Sequence, residues 1–232
     1  MPTVSEILEI AGECSRSHLS VARTVADTMA VAAEPTWHLE PAPRSVRRAP
    51  GRKALRAAAA SVGVSLGDCV ANEHGAASLP VGVLGSIAHT LGVSIAVVCT
   101  SPVIIGIGVD IEPIEPPRPQ IAGRVLTTRE QEELAGLNEE ARWRSVLAIF
   151  CAKEASYKAL DAHRVIPLTF RTLEIGLPHQ EVSRVRILEP GDHPETRVMI
   201  AQDRELTTAL AITFRSGVNT ASLKMMAEFS SR

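Results

Sequence analysis

The chain has 232 residues, with 24 Lys and Arg against 26 Asp and Glu, a net charge of −2 and 45% hydrophobic residues. A chain of this length buries a core without disulfide or metal staples, and its charge balance argues against a bulk nucleic-acid binder. Charged residues make up 22%, too few for a disordered chain of this hydrophobicity. Cys14, Cys69, Cys99 and Cys151 form no CxxC pair and none stands at zinc-finger spacing from a His. Neither a structural zinc nor a disulfide framework is expected. The first residues lack a basic segment followed by an apolar one, and no apolar run reaches about 18 residues. The expectation is a protein without a signal peptide or membrane span, in a reducing cytoplasm.

Residues Met1 to Ala33 read as helix, from Ile7, Leu8, Leu19, Val21 and Val25 at loose helical spacing. A proline-rich connection follows to Pro50. Gly51 to Val62 is a helix on propensity, with Gly63 as its stop signal. Ser86 to Val98 reads as a turn and then a strand. Val103 to Ile111 is a second strand, rich in β-branched residues and ended by Pro113. Prolines crowd positions 102–119, which places a boundary between two halves near residues 113–124. Thr128 to Leu137 is a helix with a threonine cap and an acidic first turn. Trp143 to Asp161 is the longest helix. Thr172–Ile175, Val182–Leu188, Val198–Ala201 and Thr207–Phe214 follow as antiparallel strands, with turns at Pro178, Pro190-Gly191 and Gln202-Asp203.

Two elements carry chemistry. The first is the strand end Gly106-Ile107-Gly108-Val109-Asp110-Ile111-Glu112. Period two sends Ile107, Val109 and Ile111 into a core and Gly106, Gly108, Asp110 and Glu112 to the other face. That face suits a charged ligand close to the backbone. Two carboxylates so near repel unless a cation joins them, and hard oxygen ligands suit Mg²⁺ or Mn²⁺. The plain alternative is an exposed acidic strand end before a proline turn. The second element is the helix from Trp143 to Leu160. At about 100° per residue, Trp143, Leu147, Phe150 and Tyr157 define one stripe, with Glu154 in its middle and Lys158 at its edge. A carboxylate there needs a partner or a metal. The plain alternative is a Glu154–Lys158 pair at i,i+4.

Two weaker features lie upstream. Arg44, Arg47, Arg48, Arg52, Lys53 and Arg56 form an acid-free basic stretch, with Arg52 and Arg56 on one helix face. Guanidinium clusters suit phosphate, although such a run also serves as a solvated basic face. In Gly85-Ser86-Ile87-Ala88-His89-Thr90, a small-residue turn before a strand would present Ser86 and His89 to a phosphate. A lone histidine is more often structural.

Together these elements resemble the 4′-phosphopantetheinyl transferases, in the long single-chain class of the surfactin-synthetase and enterobactin-synthetase activating enzymes. The resemblance rests on Gly108-Val109-Asp110-Ile111-Glu112 and, some forty residues later, Phe150-Cys151-Ala152-Lys153-Glu154-Ala155-Ser156-Tyr157-Lys158. Gly85 to Thr90 and the Gly51-Arg52 helix are similar to further family segments, with Ala88 where the family has a hydroxyl residue. The resemblance covers about residues 45–175 and leaves the first 45 unmatched.

It implies an α+β fold of two similar halves related by a pseudo-twofold, 1–118 and 119–232, with coenzyme A in the cleft between them. It also implies a monomer that transfers 4′-phosphopantetheine from coenzyme A to a serine of an apo acyl, peptidyl or aryl carrier protein, releasing 3′,5′-ADP. Asp110, Glu112 and Glu154 would hold Mg²⁺ (or Mn²⁺) against the pyrophosphate. Glu154, or a water it positions, would take the serine proton, and Lys158 would stabilise developing charge. Arg48, Arg52, Arg56, Ser86, His89, Asp110, Lys153 and Lys158 would contact the coenzyme, Lys153 ranking below Lys158. The enterobactin likeness leans toward secondary-metabolite carriers of the peptide synthetase, polyketide or siderophore kind. No nucleic acid or membrane partner is expected. A non-catalytic carrier- or coenzyme-binding relative and an unrelated metal-dependent phosphoryl enzyme are the alternatives. The chain lacks a P-loop and a complete dinucleotide glycine pattern.

Overall fold

The computed structural model describes residues 28–35, 49–67, 78–90, 93–116, 118–161, 168–176 and 182–217. Its elements are β1 (Met29–Pro35), α1 (Ala49–Ser61), β2 (Leu84–Thr90), β3 (Val93–Cys99), β4 (Ile104–Pro113), α2 (Pro119–Val125), α3 (Thr128–Glu133), α4 (Glu139–Asp161), β5 (Leu173–Ile175), β6 (Val182–Ile187), β7 (Thr196–Gln202) and β8 (Leu206–Phe214). They build an α+β architecture with two antiparallel sheets, ordered β1-β3-β2 and β4-β8-β7-β6-β5.

Alternation along the strands sorts the core into layers. On β3, Ile95, Val97 and Cys99 face the other sheet and meet Ile107, Val109 and Ile111 of β4 with Leu210 and Ile212 of β8. Ala96 and Val98 face the opposite way, onto Ala54, Leu55, Ala58 and Ala59 of α1. On the outer face of the five-stranded sheet, Ala209 and Ala211 meet Cys151, Ala152, Ala155 and Ala159 of α4. The order is therefore helix, sheet, sheet, helix, and each sheet has one long helix on its outer face. The far side of α4 closes a smaller core with Leu126 and Leu134, through Trp143, Val146 and Ile149.

Local chemistry explains the element ends. Gly63, at φ 74°, closes α1. Its N–H donates to Ala60 O and that of Val64 to Ala59 O, the paired bonds of a glycine C-terminal cap. The helix starts at Thr128 behind a threonine cap, as expected, with Thr127 in a reciprocal capping box with Glu130, and it ends at Glu133 rather than Leu137.

Two expectations need correction. The reading of Met1 to Ala33 as helix fails where it can be checked, because Met29–Pro35 is a strand paired with β3. Its alanines favour a helix locally, but the free edge of β3 outweighs that preference. Ser86 is not in a turn either: Leu84–Thr90 pairs with β3 along its whole length. The sequence division at 118/119 puts the acidic strand in the first half, whereas its hydrogen bonds run to β8 in the second sheet. The expected turn at Pro178 lies outside the described residues.

Candidate active site

The site begins with two glycines. A Cβ on Gly106 would lie 1.9 Å from Ala159 O, and one on Gly108 would lie 2.0 Å from Ala155 O. Both glycines therefore face α4 at van der Waals distance from its backbone. The sequence reading left this face open for a ligand. The correction is that the helix itself fills it, and small residues on both sides form a seam. Continuing along β4 with period two, Asp110 follows Gly108 on the helix side. There Lys158 Nζ donates to Asp110 Oδ1 at 2.7 Å and to Val109 O at 2.9 Å. The seam is thus what brings the strand's acid and the helix's lysine together.

The plain alternative, a Glu154–Lys158 pair, is not formed among the described residues, since the ammonium goes to Asp110 instead. The expected stripe is also revised. Trp143 and Leu147 are buried in the small core, but Tyr157 is 39% exposed. Glu154 is half-buried beside it, at a groove of about 510 Å³ whose lining includes Arg124, Tyr157, Phe170, Arg171 and Leu173. Nothing in the sequence pattern marks Arg124 or Arg171, which reach the groove from different elements.

Three carboxylates crowd the mouth of the seam. Burial pushes Glu112 up to about 7, helped by the charges of Asp110 and Glu154, with Lys158 and Arg118 pulling the other way. Burial also raises Glu154, again with Asp110 adding and Lys158 opposing. Among the described residues, no three His, Cys, Asp or Glu side chains converge to enclose a metal ion as they stand. Two observations nevertheless fit a divalent cation. Asp110 Oδ2 is buried without a hydrogen-bond partner. Glu112 is held in a field of like charge that a cation would reverse. Oxygen donors of this kind suit Mg²⁺ or Mn²⁺.

The remaining expected residues divide. Lys153 does not face the site. Its side chain is 0% exposed, and its Nζ donates to Glu130 Oε2 at 2.6 Å and to Val125 O at 2.8 Å. It sits one helical step, about 100°, from Glu154, which turns it away from the acids. Ser86 and His89 lie on opposite faces of β2, so they cannot present one ligand surface together. Ser86 Oγ accepts from the Val109 N–H at 3.1 Å, tying β2 to the acidic strand. His89 is exposed on the α1 side. A Cβ on Gly85 would meet Leu55, and one on Gly51 would meet Ile87. Stepping from Gly85 through Ile87 to His89 therefore runs toward the N-terminal end of α1, where backbone N–H groups are unpaired by the helix. Arg52 is half-buried in the first turn of α1, and Arg56 is exposed one turn on. Ser94, opposite His89 in the sheet, has a buried hydroxyl without a partner. Sequence alone gave no sign of it. Arg48 lies outside the described residues.

Cys99 and Cys151 are buried free thiols, and burial raises both. No described helix is long and apolar enough to cross a membrane.

Comparison with known proteins finds relatives of the chain. The chain is 32% identical over 144 residues to the 4′-phosphopantetheinyl transferase Svp of Streptomyces mobaraensis, a match spanning 60% of this chain and 58% of that protein. The Thermotoga maritima holo-[acyl-carrier-protein] synthase aligns at 21% identity with a TM-score of 0.40, over 48% of this chain and 64% of that one. A Bacillus anthracis holo-(acyl-carrier-protein) synthase, solved with CoA (3′,5′-ADP), aligns at 24% identity with a TM-score of 0.42, over 49% and 99%. Two family models match in tandem: the transferase N-terminal domain over residues 42–99, and the superfamily model over residues 106–211, which takes in α4 and β4 from Gly106 onward. The chain belongs to the 4′-phosphopantetheinyl transferase superfamily.

Proposed function

We propose that the protein transfers 4′-phosphopantetheine from coenzyme A to a serine of an apo acyl, peptidyl or aryl carrier protein. The observation that carries this reading is the glycine seam, which sets Lys158 against Asp110 with Glu112 and Glu154 in the same charge cluster, Glu154 also lining an open groove. The serine oxygen attacks the phosphorus that bears the pantetheine arm, the bond to 3′,5′-ADP breaks, and the serine proton leaves to Glu154 or to a water it holds. Burial favours this role, because a carboxylate raised above its ordinary range is a better proton acceptor. Lys158 sets its ammonium beside Asp110, where it meets the pyrophosphate oxygens and offsets charge on them. Asp110, Glu112 and Glu154 are the residues that hold Mg²⁺, which when bound neutralises the pyrophosphate and the leaving group. His89, Arg52 and the first turn of α1 form a second anion-binding end for the 3′-phosphate. Arg56 lies one turn further along the same helix face.

The test is intact-mass measurement of several apo carriers incubated with the protein, coenzyme A and Mg²⁺. The expected result is a gain of one phosphopantetheine on serine, lost without metal and reduced about 10²–10⁴-fold in Glu154→Gln. Carriers of peptide synthetase, polyketide and siderophore systems belong in the panel, because the reading favours secondary metabolism. Sedimentation would check the expected monomer. No gain on any carrier, with coenzyme A still bound, would leave a coenzyme-binding module. No binding at all would remove the reading.

A further inference from the structure

Lys153 and Glu130 form the fully buried ion pair of the described residues, both side chains being 0% exposed. Two buried charges persist only when they are well paired and hydrogen-bonded, and here two of the three Lys153 N–H donors and both Glu130 oxygens have partners. Glu130 Oε2 accepts from Lys153 and from the Thr127 N–H at 2.8 Å, while Oε1 accepts from the Ile175 N–H at 2.9 Å. Lys153 also donates to Val125 O. This network joins the end of α2, the start of α3, the middle of α4 and strand β5.

Each anchor stands next to a residue of the groove. Arg124 precedes Val125, Glu154 follows Lys153, and Leu173 lies two positions before Ile175 on the same face of β5. We infer that Lys153, through Glu130, is a positioning residue for this site: it fixes the distance between the wall carrying Arg124, the wall carrying Leu173 and the Glu154 carboxylate between them. Lys153 touches neither substrate nor metal. Its contribution is to hold three separate chain segments in register where the reacting groups must meet. This rests on the proposed role of Glu154.

The test uses the full chain with Lys153→Met/Glu130→Gln, which removes both charges and nearly conserves volume, so that no lone buried charge unfolds it. Circular dichroism verifies the fold. Amide exchange then reads the clamp. The Thr127 and Ile175 amides should exchange about tenfold or more faster, while those of β8 stay unchanged. Steady-state transfer reads the positioning. We expect kcat to fall about ten- to a hundredfold, with coenzyme A affinity held within about threefold. A folded variant that keeps kcat within about twofold overturns the inference. So does one whose two amides remain as protected as in the parent chain. Parent turnover separates the readings: a parent chain inactive on every carrier defeats the proposed function, while the exchange data still decide whether the clamp exists.

Discussion

Lys153 and Lys158 stand on the same helix, five positions apart, and each bonds a carboxylate at 2.6–2.7 Å. Lys153 is sealed at 0% exposure, and every oxygen of its partner Glu130 has a donor. Lys158 is 29% exposed and its partner Asp110 keeps one buried oxygen with no donor. The difference teaches what distance alone hides. A sealed pair whose carboxylate oxygens are all occupied is closed to a ligand and serves the architecture. A pair left incomplete at a partly exposed edge retains capacity for a ligand, which is why the proposed site lies there.

The largest expected effect comes from breaking the sealed pair on one side. Lys153→Met leaves Glu130 buried and unpaired, and should cost about 3–5 kcal/mol in urea unfolding. At roughly 2–4 °C per kcal/mol for a chain of this size, the midpoint falls by about 10 °C. A loss of only about 1–2 kcal/mol would make the two lysines equivalent and erase the contrast.

Next comes the seam. Gly108→Ala pushes a methyl group against Ala155 O, a backbone atom that cannot step aside. Overpacking of this kind costs about 1–3 kcal/mol, and spreading β4 from α4 also separates Lys158 from Asp110. Stability and transfer should therefore fall together, measured by denaturation and by carrier mass gain. Full activity in a destabilised variant would show that the site does not depend on the seam.

Lys158→Met sharpens the comparison from the other side. Lys158 is itself partly exposed, but Asp110 and the Val109 carbonyl are buried, so stability should fall by about 1–2 kcal/mol, less than for Lys153. Transfer should nevertheless drop about 10²-fold, with most of the loss in kcat. A large stability loss would assign Lys158 to architecture along with Lys153.

The smallest effect is a pH dependence. Folding raises Glu112 from 4.5 to about 7. A carboxyl raised on folding holds its proton more tightly in the folded chain, so its contribution falls as pH climbs through that window. Stability without metal should therefore be higher at pH 5 than at pH 8, by about 1 kcal/mol after solvent screening. Glu112→Gln should flatten this slope, and saturating Mg²⁺ should do the same. An unchanged slope in Glu112→Gln would place the acid cluster's strain elsewhere.

Much of the site was legible in the sequence because period two and period 3.6 assign faces reliably. Asp110 and Lys158 were read as site residues, and the structure brings them together. Faces do not reveal what covers them, however. The glycines of β4 pointed where the alternation said they would, but toward a helix backbone rather than a ligand. Lys153, expected among the coenzyme contacts, faces elsewhere for a similar reason. A helical angle gives its direction, while its partner Glu130 lies 23 positions away on another helix. The groove was equally invisible, since Arg124, Glu154 and Leu173 meet only in three dimensions. Strand β1 was misread because its alanines carry a local preference that a distant strand edge overrides.

β4 is the outermost strand of its sheet. Such a strand offers free backbone groups on which another chain can grow a sheet. At Val109 both groups are already taken, the N–H by Ser86 and the carbonyl by Lys158. The lysine assigned to chemistry therefore also guards an edge. Within the chain that edge is buried against β2, so losing the lysine leaves an interior carbonyl without its donor and loosens a residue at which β2, β4 and α4 are joined, independently of whether the reaction still runs.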